Sequence, residues 1–122
     1  MFMYILDDQN EPVRVGSAMQ WAHWLEKNLD RRQVARDKFG DIVVSTVFLG
    51  LDHSFGGGSP LLYETMIFGG AHDQYQTRCS TREQALEMHK EALRLMTISL
   101  SANVIDLKEE RGEWTSETKS QD

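Results

Sequence analysis

Two β-prone runs on either side of a polar loop dominate the pattern of hydrophobic positions along this chain. Residues 42–51 read Ile-Val-Val-Ser-Thr-Val-Phe-Leu-Gly-Leu, and residues 61–68 read Leu-Leu-Tyr-Glu-Thr-Met-Ile-Phe. β-branched and aromatic residues favour a pleated, half-buried surface, so these runs predict a central hairpin. Both faces of the first run are largely apolar, which predicts a central strand covered on both sides.

Shorter strands and a first helix are predicted before this hairpin. The chain opens with a strand at residues 2–6 and, after a polar turn, a second strand at residues 13–15. Ser17 with Gln20 predicts the capped start of a helix over residues 18–29. The apolar stripe of that helix is predicted to comprise Ala18, Trp21, Ala22, Leu25 and Leu29.

A second helix is predicted after two more short strands, at residues 33–38 and 74–78. Ser80 with Glu83 and Thr81 with Gln84 each form a possible capping box, so the helix begins near residue 81. Residues 97–104 alternate polar and apolar positions, which is strand-like spacing. Both a continued helix and a short strand are allowed there, and we favour a helix to about Ser99.

Together these elements predict an α+β fold for residues 1–100, taken as a single domain. We expect a mainly antiparallel sheet of about five to six strands covered by two α-helices. Residues 101–122 are predicted to form a charged, flexible C-terminal tail, in which Trp114 is the exception and could dock on the body or on another subunit.

Charge and cysteine content narrow the function classes. The 122-residue chain has a formal net charge of −6, so no sequence-wide positive field attracts phosphate backbones, and direct nucleic-acid binding is not expected. The negative net charge instead favours association with a basic partner surface. Cys79 is the single cysteine, and no charged leader or apolar run of about 20 residues occurs. We therefore expect a cytoplasmic protein with no membrane partner.

The loop at residues 52–60 and the strand that follows it hold the candidate site. Asp52 and His53 lie at the hairpin tip beside a run of glycines, and Glu64 interrupts the apolar returning strand. The candidate ligand-binding residues are Asp52, His53, Phe55, Gly57 and Glu64. A structural role remains open for each carboxylate: Asp52 can cap its own turn, and Glu64 can face solvent or pair with an arginine.

No catalytic residue, metal site or cofactor is predicted. The chain has no HExxH spacing, and its glycine run lacks the Gly-Lys-Ser/Thr ending of a phosphate-binding loop. Pairing through the loop is expected to set Glu64 roughly opposite Phe48, far along the strand from Asp52. His89 lies on the apolar stripe of the second helix, which predicts a core histidine with one backbone or water partner.

Residues 44–53, Val-Ser-Thr-Val-Phe-Leu-Gly-Leu-Asp-His, and residues 60–70, Pro-Leu-Leu-Tyr-Glu-Thr-Met-Ile-Phe-Gly-Gly, resemble a family of small, mostly uncharacterised proteins encoded by bacteriophages. The opening residues 4–7 and the pair Trp21 and Trp24 look similar too, so the resemblance covers about residues 4–95. It implies a phage or prophage accessory protein in a bacterial cytoplasm. It transfers no catalytic residue.

Three function hypotheses follow. The first is non-covalent binding and inhibition of a host protein, such as a component of an anti-phage defence system. The second is binding of a small ligand, such as a nucleotide signal, at the glycine-rich loop. The third is a metal-assisted hydrolase that uses His53, Glu64 and His72. The strand at residues 42–51 is apolar on both faces, which is compatible with self-association as a homo-oligomer.

Overall fold

The computed structural model of this chain describes residues 2–54 and 56–110, without the side chains of Ser99 and residues 101–110. The fold is α+β, and every strand pair in it is antiparallel. The elements in chain order are β1 Met3–Leu6, β2 Pro12–Val15, α1 Ala18–Lys27, α2 Leu29–Arg32, β3 Gln33–Phe39, β4 Ile42–Phe48, β5 Tyr63–Phe68, β6 Gln76–Cys79 and α3 Arg82–Glu110.

The described strands form two sheets rather than the single sheet predicted from the sequence. β3, β4, β5 and β6 form a four-stranded sheet in chain order, and β1 pairs with β2 in a separate hairpin. The hairpin touches the segment after β4 through the bridge between Met3 and Leu51. The α+β class and the antiparallel pairing are therefore confirmed, while the assignment of all strands to one sheet is wrong.

A short helix was missed between the first helix and β3. α1 begins at the predicted cap, where the N–H of Gln20 donates to Ser17 Oγ at 3.2 Å. It ends at Lys27 because Asn28 leaves helical geometry, with φ −126° and ψ 37°, and α2 then adds one turn. The predicted stripe is partly wrong, since Ala18, Ala22 and Leu29 are exposed. Half-buried positions of α1 are Trp21, Trp24 and Leu25.

α3 begins at the predicted capping box and continues beyond the predicted end. The N–H of Gln84 donates to Thr81 Oγ1 at 3.1 Å, and Gln84 Oε1 accepts in return from the N–H of Thr81. The helix reaches Glu110, so the strand alternative for residues 97–104 is wrong. Trp114 and the rest of the predicted tail after residue 110 lie outside the described residues.

Packing divides the four-stranded sheet into two different faces. Val44, Thr46 and Phe48 of β4 are buried beneath α3 and α1, while Val43, Ser45 and Val47 between them are half-buried. The predicted coverage of this strand on both sides is therefore wrong for the described elements, because their helices pack on one face. We call the other side, formed by the alternate residues of β3 to β6, the open face. No helix among the described residues is long and apolar enough to cross a membrane.

Candidate functional site

The glycine-rich loop lies beside the β1–β2 hairpin and forms a cleft with it. The N–H of Tyr4 donates to the carbonyl of Gly50 at 2.7 Å, and the N–H of Asp52 donates to the carbonyl of Phe2 at 3.1 Å. These bonds place the start of the loop against β1. The resulting loop cleft has a volume of about 450 Å³. Its lining includes Phe2, Tyr4, Arg14, Asp52, Ser54 and Gly57.

Gly50 anchors the base of this loop. Its φ is +79°, a conformation that glycine adopts without steric cost. A Cβ at this position would lie 2.9 Å from Trp21 Nε1, whose N–H donates to the carbonyl of Gly50 at 3.0 Å. The close approach of α1 to the loop base therefore requires glycine at this position.

The Asp52 carboxylate accepts backbone hydrogen bonds from both ends of the loop. Its Oδ1 accepts from the N–H of Ser54 at 2.8 Å and from the N–H of Leu61 at 3.0 Å. These donors stabilise the charged form, so the hydrogen bond from Ser54, followed by that from Leu61, lowers the pKa of the Asp52 carboxyl. The turn-capping interpretation of Asp52 is therefore confirmed, and the same carboxylate also lines the cleft.

The other predicted site residues do not all join Asp52. Gly57 lines the loop cleft. The N–H of His53 donates to the carbonyl of Leu61 at 3.1 Å, which places this residue in the pairing at the loop base. Phe55 lies outside the described residues. Glu64 lies on the open face of the sheet, so the five predicted residues do not form one site.

The position of Glu64 follows from a pairing register that differs by one residue from the prediction. Glu64 pairs with Val47, and it is Tyr63 that pairs with Phe48. A shift of one residue moves a side chain to the other side of a sheet. Glu64 accordingly accepts from Arg78 Nε at 2.9 Å and from Gln76 Nε2 on the adjacent strand.

The open face is the side of the sheet that no described helix covers. Apolar side chains lie on the two middle strands, with Phe68 45% exposed. Basic side chains lie on the outer strands, and Glu64 pairs with one of them. The apolar and basic side chains of this face are Val43, Val47, Met66, Phe68, Arg36, Lys38 and Arg78.

A polar chain that was not predicted crosses the covered face, and its members other than Asp37 are buried. Asp37 Oδ2 lies 2.7 Å from His89 Nε2, His89 Nδ1 lies 2.8 Å from Thr46 Oγ1, and Thr46 Oγ1 lies 2.6 Å from Thr65 Oγ1. Because an ionised carboxylate only accepts, Nε2 carries the proton that is donated to Asp37. In neutral His89, Nδ1 then accepts from the Thr46 hydroxyl.

The polar chain formed by Asp37, His89 and Thr46 has the atom order of an Asp–His–hydroxyl catalytic set. The burial of its hydroxyl group nevertheless indicates a structural role. Thr46 and Thr65 are 0% exposed and His89 is 5% exposed, so α3 separates the hydroxyls from any substrate. The prediction of a core histidine is confirmed, but its partners are side chains rather than backbone or water. No sequence signal identified Asp37 and Thr46, because their pairing with His89 depends on how α3 crosses the sheet.

The residues of the hydrolase hypothesis do not share a site. Glu64 is paired with Arg78. His53 precedes β5 and His72 follows it, so a six-residue strand, on the order of 20 Å, separates them. Within the described part of the chain, no three His, Cys, Asp or Glu side chains are grouped so that they could hold a metal ion.

Cys79 is a small, buried side chain of the core. Its Sγ lies 3.4 Å from the carbonyl oxygen of Thr81, to which the thiol can donate, and burial raises the pKa of the thiol. A raised pKa lowers the fraction of reactive thiolate, so Cys79 has the character of a core residue.

Comparison with protein-family models, with curated proteins and with solved structures finds no significant match.

Proposed function

We propose that this protein acts by binding another protein non-covalently through the open face of its four-stranded sheet. The observation that carries the proposal is an apolar centre, including Val47 and Phe68, left uncovered by the described helices and flanked by basic residues on the outer strands. An apolar middle with a polar rim is the usual organisation of a protein interface.

The charge of this face favours an acidic partner surface. Arg36 and Lys38 lie exposed on β3, and Arg78 on β6 is paired with Glu64. The face is therefore basic although the whole chain has a net charge of −6. Complementary potentials increase association rates and exclude partners of the same charge. The local charge of the open face thus favours an acidic partner surface, whereas the net charge of the whole chain favours a basic one.

The resemblance to bacteriophage-encoded proteins supports a bacterial partner. We infer a phage or prophage accessory protein that inhibits a host component, such as part of an anti-phage defence system, in the bacterial cytoplasm. Inhibition by steric occlusion requires no catalytic group on this chain. It requires an exposed surface with shape and charge specific to the target.

The test compares matched substitutions on the two faces of the sheet. Tagged wild-type protein and Phe68→Ser are used to capture host proteins. Phe39→Ser is the control, because Phe39 is also 45% exposed but pairs with Ile42 on the strand edge of the covered face. We expect a stoichiometric protein with wild type and Phe39→Ser that Phe68→Ser fails to retain.

Charge reversal provides the second arm, with the captured partner purified. The double variant Arg36→Glu and Lys38→Glu is expected to weaken the complex at least about 10-fold, and added salt to weaken the wild-type complex. Lys90→Glu and Arg94→Glu, exposed bases on α3, are the control. No stoichiometric partner, or equal losses in test and control variants, would overturn the proposal.

A further inference from the structure

We propose that the loop cleft binds a small zwitterion, namely an amino acid with an apolar side chain or a short peptide of that kind. Its carboxylate would contact Arg14 and its ammonium group would contact Asp52. The inference goes beyond protein binding by the open face, because the cleft lies between the β1–β2 hairpin and the glycine-rich loop.

Arg14 is held in a position that suits a carboxylate. It lies on β2 opposite Tyr4 and is exposed. Its guanidinium carbon lies 3.5 Å from the centre of the Phe2 ring, so one planar surface is occupied by the aromatic ring. The N–H groups at the edge of a stacked guanidinium can still donate two parallel hydrogen bonds to a carboxylate.

Asp52 supplies the opposite charge at a fixed position. The bonds from Ser54 and Leu61 use Oδ1, and the second carboxylate oxygen has acceptor capacity for a ligand N–H. The same two bonds connect Asp52 to both ends of the loop. An ammonium group is a natural ligand for this carboxylate because it offers three donors and a positive charge.

The two charges line one cleft without forming an ion pair with each other. A ligand with only one charge would compensate one of them and leave the other unmatched. A zwitterion matches both, and the rings of Phe2 and Tyr4 give its side chain an apolar surface. The volume of about 450 Å³ lies within the usual range of small-molecule sites.

A nucleotide, the ligand of the second sequence-based hypothesis, fits less well. Its phosphate would suit Arg14, but the additional negative charge would lie close to Asp52 on a chain of net charge −6. Nucleotide binding is therefore treated as a competing outcome of the test.

The test is a titration followed by amide NMR shifts, with L-phenylalanine as the probe. We expect saturable shifts at the amides of Arg14, Asp52 and Gly57. N-acetyl-L-phenylalanine lacks the ammonium charge and L-phenylalanine amide lacks the carboxylate, so each is expected to bind at least about 10-fold more weakly. Equal binding of all three compounds, or no saturable shift with L-phenylalanine, would overturn the inference.

Two matched pairs of variants assign the charges. Arg14→Gln and Asp52→Asn are each expected to weaken binding at least about 10-fold. Arg94→Gln, at an exposed arginine of α3, is the control for the first. Asp7→Asn is the control for the second, because Asp7 Oδ1 also accepts two backbone N–H groups, from Gln9 at 2.9 Å and Glu11 at 3.0 Å, in the β1–β2 turn.

Both controls are expected to leave binding unchanged. Asn at position 52 keeps an Oδ1 acceptor for the N–H groups of Ser54 and Leu61, so a loss of binding in Asp52→Asn reports the loss of the charge rather than of the turn cap. AMP and GMP are titrated in parallel. Nucleotide binding that is stronger than that of L-phenylalanine and independent of Asp52 would overturn the zwitterion inference. Unchanged binding of L-phenylalanine in Arg14→Gln or Asp52→Asn would also do so.

Discussion

Polar side chains have different environments on the two faces of the four-stranded sheet. On the covered face, Thr46, Thr65 and His89 are buried and bonded to one another. On the open face, Glu64 and Arg78 form a partly exposed ion pair. A buried polar group without a partner costs about 1–3 kcal/mol, whereas an exposed ion pair contributes about 0–1 kcal/mol. The polar pairs of the covered face are therefore expected to contribute more to stability than the ion pair of the open face.

The largest difference in the free energy of unfolding is expected between alanine variants of two adjacent apolar residues of β4. Phe48 is 0% exposed, with its ring centre 6.0 Å from that of Trp24 and 5.4 Å from that of Tyr63. Phe48→Ala should lower the free energy of unfolding by about 3–5 kcal/mol because it leaves a cavity. Val47→Ala, on the open face, should lower it by less than about 1 kcal/mol.

Urea unfolding of the two variants measures these free energies. A cost for Val47→Ala equal to that of Phe48→Ala would break the comparison. It would show that the open face is packed in solution, for example against a second copy of the chain.

An intermediate loss of stability is expected from substitutions in the polar chain. Thr46→Val removes the hydroxyl that links His89 to Thr65 and should lower the free energy of unfolding by about 1–3 kcal/mol. Ser45→Ala, one residue away on the open face, should cost less than about 1 kcal/mol. The double variant Thr46→Val and Thr65→Val should cost less than the sum of its single variants, since both groups belong to one network. A neutral Thr46→Val would contradict this account.

The smallest effect at neutral pH is expected at Tyr63, whose buried hydroxyl has no hydrogen-bond partner among the described residues. Tyr63→Phe should be neutral or stabilising by up to about 1 kcal/mol. Burial raises the pKa of Tyr63 from 10.0 to about 12. Above pH 10 the unfolded state loses this proton while the folded state retains it, so wild type loses stability as the pH rises towards 12.

Urea unfolding of wild type and Tyr63→Phe between pH 8 and pH 12 tests this sign. The variant lacks the titrating group, so its advantage should grow with pH over that range. Tyr4→Phe, at a half-buried tyrosine of β1, controls for the loss of a phenol. Parallel curves for wild type and Tyr63→Phe would contradict the prediction.

Local signals in the sequence determined most elements of the fold. The β-prone runs predicted the strands that became β4 and β5, and the pairs Ser17–Gln20 and Thr81–Gln84 predicted the starts of α1 and α3. These signals depend on residues within one or two turns of each other. Such signals can therefore be identified from a short stretch of sequence without knowledge of distant segments.

Tertiary structure decided which face and which site each side chain joined. The register of β4 with β5 pairs Glu64 with Val47 on the open face. Phe48, the partner predicted from the sequence, is buried on the covered face. Asp37 and His89 are 52 positions apart, and the bridge from Met3 to Leu51 is what brings Arg14 beside the loop of Asp52. A sequence periodicity of two defines the alternation of side chains along a strand, but not its partner or register. Those depend on the summed packing of helices and strands that are distant in sequence.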